Sequence, residues 1–240
     1  MTEAVSEQEH TASNPQPARL KAGRIWIILS SVAIAGYFVG QYMTGTLQQL
    51  AVEHVGLAAH YAASGPFIET VFYIHITFAG LALILGPFQF VTWIREHHKR
   101  VHRFIGRVYL IAAVVGSAAA LIMSTVSSVG ISGFFGFGCL AILWGLFTIH
   151  GFRAIRRHDV ASHRAWMMRS FAIAYAAVTL RLWLGLLIGV QIPFLPPHFD
   201  FGSVFANAYA PLPYLSWIPN LIVAELLLRR RGLPSLRMTR

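Results

Sequence analysis

Six long apolar runs constrain this chain more than any other feature, because each is close to the roughly 20 residues that an α-helix needs to cross a bilayer. They cover residues 25–43, 71–94, 108–129, 131–152, 170–190 and 212–228. Charged residues make up 12% of the chain, whereas a typical soluble domain has about 25%. So little polar surface cannot cover a water-exposed globule of this size. The sequence therefore predicts an all-α, polytopic transmembrane helix bundle.

The remaining segments are polar and flank this predicted membrane domain. Residues 1–23 lack an apolar pattern and contain two prolines, which is typical of a disordered tail. We expect a transmembrane helical domain over 24–229 and a basic tail over 230–240. The stretch Ala33-Ile34-Ala35 resembles a signal-peptidase site. The apolar run continues past it to Met43, which favours a retained helix.

Lys and Arg are distributed unevenly between the connections, and this predicts an orientation. All but one of the 19 Lys and Arg residues lie before the first run, in the connections 95–107 and 153–169, or after the last run. The connections at 44–70, 130 and 191–211 contain none. Since short loops rich in Lys and Arg remain cytoplasmic, both termini and both basic connections are expected on the cytoplasmic side of a cytoplasmic (inner) membrane.

Several functional classes are disfavoured by the sequence. The net charge of +10 is not spread over a polar surface, as nucleic-acid binding requires, but falls between apolar runs. The chain contains no P-loop, no glycine-rich dinucleotide turn and no His-Glu-x-x-His motif. The single cysteine, Cys139, excludes an intrachain disulfide. The sequence therefore indicates no catalytic residue.

Three segments resemble the prokaryotic membrane-protein family called domain of unknown function 2306. They read HITFAGLALILGPFQF, HRFIGRVYL and HRAWMMRSFAIAYAAVTLRLWL, and they span about residues 70–190. The resemblance implies a multi-pass topology but no activity. It also implies that the following residues belong to the pattern of the family: His75, Gln89, His102, Arg103, Gly106, Arg107, His163, Arg164, Arg169 and Arg181.

Arg181 is the most unusual polar residue, because it lies near the middle of the fifth run. A central arginine costs about 3 kcal/mol or more and marks a functional site by default. Asn220 is expected at the same depth in the sixth run, with Glu225 about 7 Å further inward. The three residues would form either a structural polar clamp or part of a site in which Arg181 binds an anion.

His75 and Gln89 share one face of the second run with small residues at three- and four-residue spacing. His75 either bonds to a neighbouring helix or serves as a ligand for b-type haem or a metal. A second histidine at matching depth is missing from the other runs, which disfavours a haem held by two histidines. The clustered arginines would repel a metal cation from the cytoplasmic histidines, so no metal site is predicted.

The two basic connections carry a second group of polar residues. We expect them to bind anionic lipid headgroups or other anions. This group consists of His102, Arg103, Arg107, His163, Arg164 and Arg169.

The leading hypothesis is a polar intramembrane pocket that binds, and in one version transports, a small anionic or amphiphilic ligand. The predicted ligand-binding residues are His75, Gln89, Arg181, Asn220 and Glu225. The first alternative is a redox protein that holds b-type haem or quinone, and the second is a structural or lipid-interacting membrane protein.

Overall fold

The computed structural model describes residues 18–235, with side chains from residue 22 onward. The described chain is helical and contains no strand, which confirms the predicted all-α class. Residues 1–17 of the predicted tail and residues 236–240 lie outside the described part. The helices are α1 (Ala18–Tyr42), α2 (Leu47–Val52), α3 (Ala58–Ala63), α4 (Pro66–Gln89), α5 (Thr92–His97), α6 (Lys99–Ser124), α7 (Gly130–Arg156), α8 (Val160–Ala174), α9 (Ala176–Gln191), α10 (Phe201–Tyr209), α11 (Leu212–Leu215) and α12 (Ile218–Arg230), with a short 3-10 helix at Ile192–Phe194.

Within residues 18–235, five helical segments are long and apolar enough to cross a membrane, and a sixth crossing is completed if the bent pair Phe201–Tyr209 and Leu212–Arg230 counts as one span. That pair joins α10 to the segment Leu212–Arg230 at an angle of 44°. The bend therefore precedes the predicted run 212–228, and within that run a turn at Ser216 and Trp217 separates α11 from α12. The chain is a multi-pass membrane protein, and its described part contains five or six spans.

The fifth span is broken at Tyr175, where α8 ends and α9 begins. With the 3-10 helix it covers Val160–Phe194, which is 35 residues or about 50 Å of helix. This exceeds the roughly 30 Å hydrocarbon core, so α8 extends beyond the apolar layer. The Tyr175 hydroxyl is 2.8 Å from Ser30 Oγ, which ties the break to α1.

Helices α4, α6, α7 and α8 form the centre of the bundle, where α6 packs against both α4 and α7 and α8 packs against α7. Their contacts bury small residues beside large aromatic ones. This pattern allows close helix approach, as is usual between membrane helices. The central cluster includes Ala82, Leu83, Tyr109, Ala112, Trp144 and Phe171.

Two glycines have specific structural roles around α7. Gly130 starts the helix with a φ of 56°, which permits the tight turn after α6. Gly136 faces α11, and a Cβ built on it would lie 2.4 Å from Pro213 Cβ and 2.9 Å from the Pro213 carbonyl. The glycine therefore lets α7 approach the backbone of α11.

The two ends of the bundle differ in composition. One end, called the basic end, carries the connections 95–107 and 153–169 and the C-terminal end of α12. At this end, Asp159 caps α8 by accepting from Ser162 N at 2.9 Å. Hydrogen bonds from Ser162, from its side chain first and then from its backbone, hold the pKa of Asp159 below its ordinary value of 3.8. The opposite end, called the loop end, carries α2, α3 and α10.

Large apolar side chains cover the outside of the bundle between these ends. They remain exposed in the isolated chain, as expected for a surface that lipid covers rather than water. Examples from different spans are Leu29, Tyr37, Phe135, Leu186 and Ile222.

Candidate functional site

A cavity of about 240 Å³ lies between the spans on the loop-end side of the bundle. Residues of α1, α3, α4, α6, α7, α8, α9 and α10 line it. Aromatic side chains form much of the wall, and His75 and Arg181 both line it. The aromatic members are Tyr42, Tyr61, Phe72, Phe137, Trp144 and Tyr209.

His75 and Arg181 line the same cavity because their helices place them at similar depths. His75 is roughly 4 Å from the middle of α4 (Pro66–Gln89), and Arg181 is roughly 6 Å from the middle of the span Val160–Phe194. Both displacements are towards the loop end. The structure therefore brings together two of the predicted ligand-binding residues.

Arg181 has no carboxylate partner among the described residues. Its Nη1 donates to the Ala177 carbonyl at 2.8 Å, one turn earlier in α9. Its guanidinium carbon lies 4.2 Å from the centre of the Phe38 ring, a cation–π contact with α1. The ion pairs Arg95–Glu96 and Arg169–Glu225 lie elsewhere. The positive charge is therefore held by neutral groups beside the cavity.

His75 is fixed by one hydrogen bond to α6. Its Nδ1 is 3.0 Å from the carbonyl oxygen of Gly116. Since a carbonyl only accepts, Nδ1 is assigned the hydrogen, and Nε2 of the neutral ring is left as an acceptor. His75 is the one histidine among the described residues that line the cavity. A haem held by two histidines would therefore lack its second ligand here.

Tyrosine hydroxyls add polar groups to the same cavity. The Leu57 N–H donates to the Tyr42 oxygen at 3.1 Å, which leaves the Tyr42 proton available. Burial, with smaller effects from Tyr209 and Tyr42, raises the pKa of Tyr61, so this hydroxyl stays protonated. The buried hydroxyl of Ser216 has no hydrogen-bond partner among the described residues. The cavity therefore has polar groups without protein partners.

These tyrosines were not among the predicted site residues. They come from α1, α3 and α10, and no common spacing in the sequence connects them. For Tyr42 and Tyr209 the available signal is a position near the end of an apolar run, where aromatic side chains are common at a membrane interface. Only the fold shows that they face His75 and Arg181.

Gln89 does not line the cavity with His75. The two residues share a helix face, but the 14 positions between them correspond to roughly 21 Å along α4. Gln89 lies beside Gly106 at the basic end, where a Cβ on the glycine would be 3.1 Å from Gln89 Oε1. Its buried Nε2 and the Nδ1 of His102 have no hydrogen-bond partner in the described part of the chain.

Asn220 stabilises the break in the fifth span and is not a member of the cavity wall. Its Nδ2 lies 3.1 Å from the Ala172 carbonyl in α8 and 3.0 Å from Thr179 Oγ1 in α9. It also lies 3.1 Å from the Ser216 carbonyl. The side chain thus connects α12 to both halves of the broken span.

Glu225 pairs with Arg169 instead of Arg181, so the predicted clamp between Glu225 and Arg181 is not formed. Arg169 donates from Nε and Nη2 to the Glu225 carboxylate, with the Nη2 bond at 3.0 Å. It also donates to the Pro234 carbonyl at 3.1 Å and lies 4.6 Å from the Trp166 ring centre. At 2% exposure, Arg169 is a buried partner and not part of the accessible basic surface.

The other residues predicted to bind anions lie at the basic end. Arg103, Arg107 and Arg164 are exposed, whereas His102 and His163 are partly buried. His163 Nδ1 is 2.8 Å from the Gly151 carbonyl. A groove of about 320 Å³ is lined by Arg100, Arg103, Phe104 and Arg107. No group of three or more His, Cys, Asp or Glu side chains within residues 18–235 has a metal-binding arrangement.

Comparison with known proteins gave one match. A family model described as "Predicted membrane protein (DUF2306)" matches residues 72–228. The matched region includes His75, Arg181 and the Arg169–Glu225 pair, but begins after Tyr42 and Tyr61. No curated protein and no solved structure matches the chain.

Proposed function

This chain belongs to the DUF2306 family of predicted membrane proteins, and we propose that it binds a small anionic or amphiphilic ligand in the cavity beside Arg181 and His75. One observation carries the proposal. The Arg181 guanidinium borders a cavity within the span and has no carboxylate partner in the described chain.

The absence of a counter-charge beside Arg181 favours the binding of an anion in the cavity. A charged side chain near the middle of a membrane costs several kcal/mol unless another group compensates it. The Ala177 carbonyl and the Phe38 ring compensate only part of the charge, because neither carries a formal negative charge. An anionic group in the cavity supplies the remainder.

The cavity wall accounts for the amphiphilic character of the ligand. Its polar groups are few and its aromatic groups are many, which is the usual composition of a small-molecule site. Its volume of about 240 Å³ is slightly below the roughly 300–1,000 Å³ typical of drug-sized ligands. A compact molecule, or the head of a longer one, fits this space.

The proposal is tested by thermal unfolding of purified protein in detergent, with hexanoate, benzoate and hexyl phosphate as probes. We expect at least one anion to raise the melting temperature of the wild type, with neutral hexanol as the uncharged control. Arg181→Met should remove the effect. Arg156→Met makes the same change at an exposed arginine of the basic end and should retain it.

Two results would overturn the proposed pocket. One is equal stabilisation of wild type and a folded Arg181→Met variant. If Arg181→Met does not fold, Arg181→Lys replaces it, because a planar guanidinium and a point-charge ammonium bind carboxylate and phosphate with different geometry. The other is a Soret band in protein purified after haem-replete expression, which would support the redox alternative instead.

The groove at the basic end favours a second candidate function, the binding of anionic lipid headgroups. Arg100, Arg103 and Arg107 recur at three- and four-residue spacing, so they share one face of α6. Phe104 in this groove is 68% exposed, and nearby Trp93 is 61% exposed. Cationic groups beside exposed aromatic rings suit a phosphate headgroup at a membrane interface.

Native mass spectrometry tests this second function. Replacement of the three groove arginines by glutamine should reduce retention of phosphatidylglycerol relative to phosphatidylcholine. The matched control replaces Arg153, Arg156 and Arg157, three exposed arginines in the other basic connection. Equal loss of phosphatidylglycerol in both triple variants would attribute the binding to net charge and not to the groove.

A further inference from the structure

The hydrogen-bonding roles of the two central groups differ, and this difference restricts the ligand. A guanidinium has donors and no acceptor, so Arg181 requires an acceptor oxygen. His75 presents the opposite requirement, because the Gly116 carbonyl occupies its Nδ1 and leaves an acceptor at Nε2. A ligand that satisfies both groups needs an acceptor at one position and a donor at another.

The hydroxyl groups that line the cavity do not alter this requirement. Tyrosine and serine hydroxyls both donate and accept, since they rotate to suit their partner. Tyr42 already accepts from Leu57 N–H and can donate its own proton. The hydroxyls therefore adjust to the ligand, whereas Arg181 and His75 select it.

The aromatic composition of the wall favours a ligand with an aromatic ring. The Phe72 ring centre lies 4.9 Å from that of Tyr42 and 4.7 Å from that of Tyr61, and all three residues line the cavity. Trp144 and Phe137 line the same space. Aromatic rings pack favourably against such walls at centre distances of about 4.5–7 Å.

We infer that the preferred ligand is a hydroxylated aromatic anion, whose anionic oxygen faces Arg181 and whose hydroxyl donates to His75. This inference rests on the proposed pocket and specifies its substrate class. A quinone ring fits less well, because both of its oxygens are acceptors and one would oppose the lone pair on His75 Nε2.

Titration with benzoate and its three monohydroxy isomers tests the inference, with binding followed by calorimetry in a fixed detergent. The three monomethoxy benzoates are the matched controls, since they keep the anion and the ring oxygen but lack its proton. We expect at least one hydroxy isomer to bind about fivefold or more tightly than both benzoate and its methoxy counterpart. This factor corresponds to one net hydrogen bond.

His75 variants identify the origin of the preference. His75→Leu should bind hydroxylated and plain benzoate equally, while His75→Gln, whose amide oxygen still accepts, should retain part of the preference. If His75→Leu fails to fold, the wild-type comparison and His75→Gln still test the inference. A preference that is unchanged in His75→Leu would overturn the role of His75.

Failure of the inference can be distinguished from failure of the pocket. Equal affinity of wild type for benzoate and all hydroxy isomers, with loss of every ligand in Arg181→Met, would overturn the hydroxyl requirement and leave the anion pocket standing. Affinities unaffected by Arg181→Met would overturn both. Absence of binding by all seven aromatic acids, with stabilisation by hexanoate or hexyl phosphate, would exclude the aromatic class alone.

Discussion

Neutralising Glu225 should destabilise the bundle by an amount that the structure allows us to estimate. In Glu225→Gln the side-chain shape is kept, but Arg169 loses its negative partner while it remains 2% exposed. Breaking a buried ion pair by changing one partner costs about 3–5 kcal/mol. We expect the lower end, about 3 kcal/mol, because the Pro234 carbonyl and the Trp166 ring still contact the guanidinium.

The assay is thermal unfolding in detergent, followed by intrinsic fluorescence. For a chain of 150–250 residues, 1 kcal/mol corresponds to roughly 2–4 °C, so the midpoint should fall by about 6–12 °C. The chain provides its own control in the pair Arg95–Glu96, whose side chains are 31% and 57% exposed. Glu96→Gln should change the midpoint by no more than about 4 °C, because exposed pairs contribute only about 0–1 kcal/mol.

A double variant makes the reasoning refutable. Arg169→Met with Glu225→Leu removes both charges together, so it should be more stable than Glu225→Gln. Equal midpoints for Glu225→Gln and Glu96→Gln would refute the importance of burial. A double variant less stable than Glu225→Gln would refute the argument that an uncompensated charge causes the loss.

Three further predictions concern packing, the break in the fifth span and a helix cap. Gly136→Ala should lower the free energy of unfolding by about 1–3 kcal/mol, because the added Cβ would collide with the α11 backbone. Gly185→Ala is the control and should be nearly neutral in the same unfolding assay, because a Cβ there has nothing within 4 Å. Asn220→Ala should lower the free energy of unfolding by about 1–3 kcal/mol, because it removes the donor to the Ala172 carbonyl in α8 and to Thr179 Oγ1 in α9, on the two sides of the break. Hydrogen exchange should rise at Tyr175, and unchanged exchange there would contradict this role. Asp159→Ala should lower the melting temperature at pH 7. Because the pKa of Asp159 is lower in the folded state, the stability that this cap contributes is present above the unfolded value of 3.8 and is lost as the pH falls through the lower folded value. A higher melting temperature of the wild type than of Asp159→Ala that persists at pH 2 would contradict this prediction.

The spans could be predicted from the sequence because lipid leaves backbone polar groups no partner outside the helix. Apolar length alone therefore identifies most of them. Their exact limits could not be predicted, because an apolar run does not distinguish a spanning helix from a short neighbour. The predicted run 71–94 contains most of α4 and the first half of the separate helix α5. The actual α4 begins earlier, which moves its middle towards His75.

Only part of the candidate site could be predicted from the sequence by the same reasoning. Depth arguments identified Arg181, and periodicity identified His75, but neither gives the rotation of one helix against another. Gln89 shares a face with His75 yet lies at the basic end of α4, whereas His75 lies near its middle. Glu225 was assigned to Arg181 by depth, whereas the packing of α12 against α8 gives it to Arg169.

Composition and apolar length were enough to show that lipid surrounds the spans, that the fold is helical and where the charges lie along the chain. These properties depend on local composition, since each helix satisfies its own backbone hydrogen bonds. The tertiary structure decided which charges are paired, because pairing depends on distances between helices that are far apart in sequence. Only that arrangement leaves Arg181 beside a cavity without a carboxylate, while Arg169 is neutralised by Glu225.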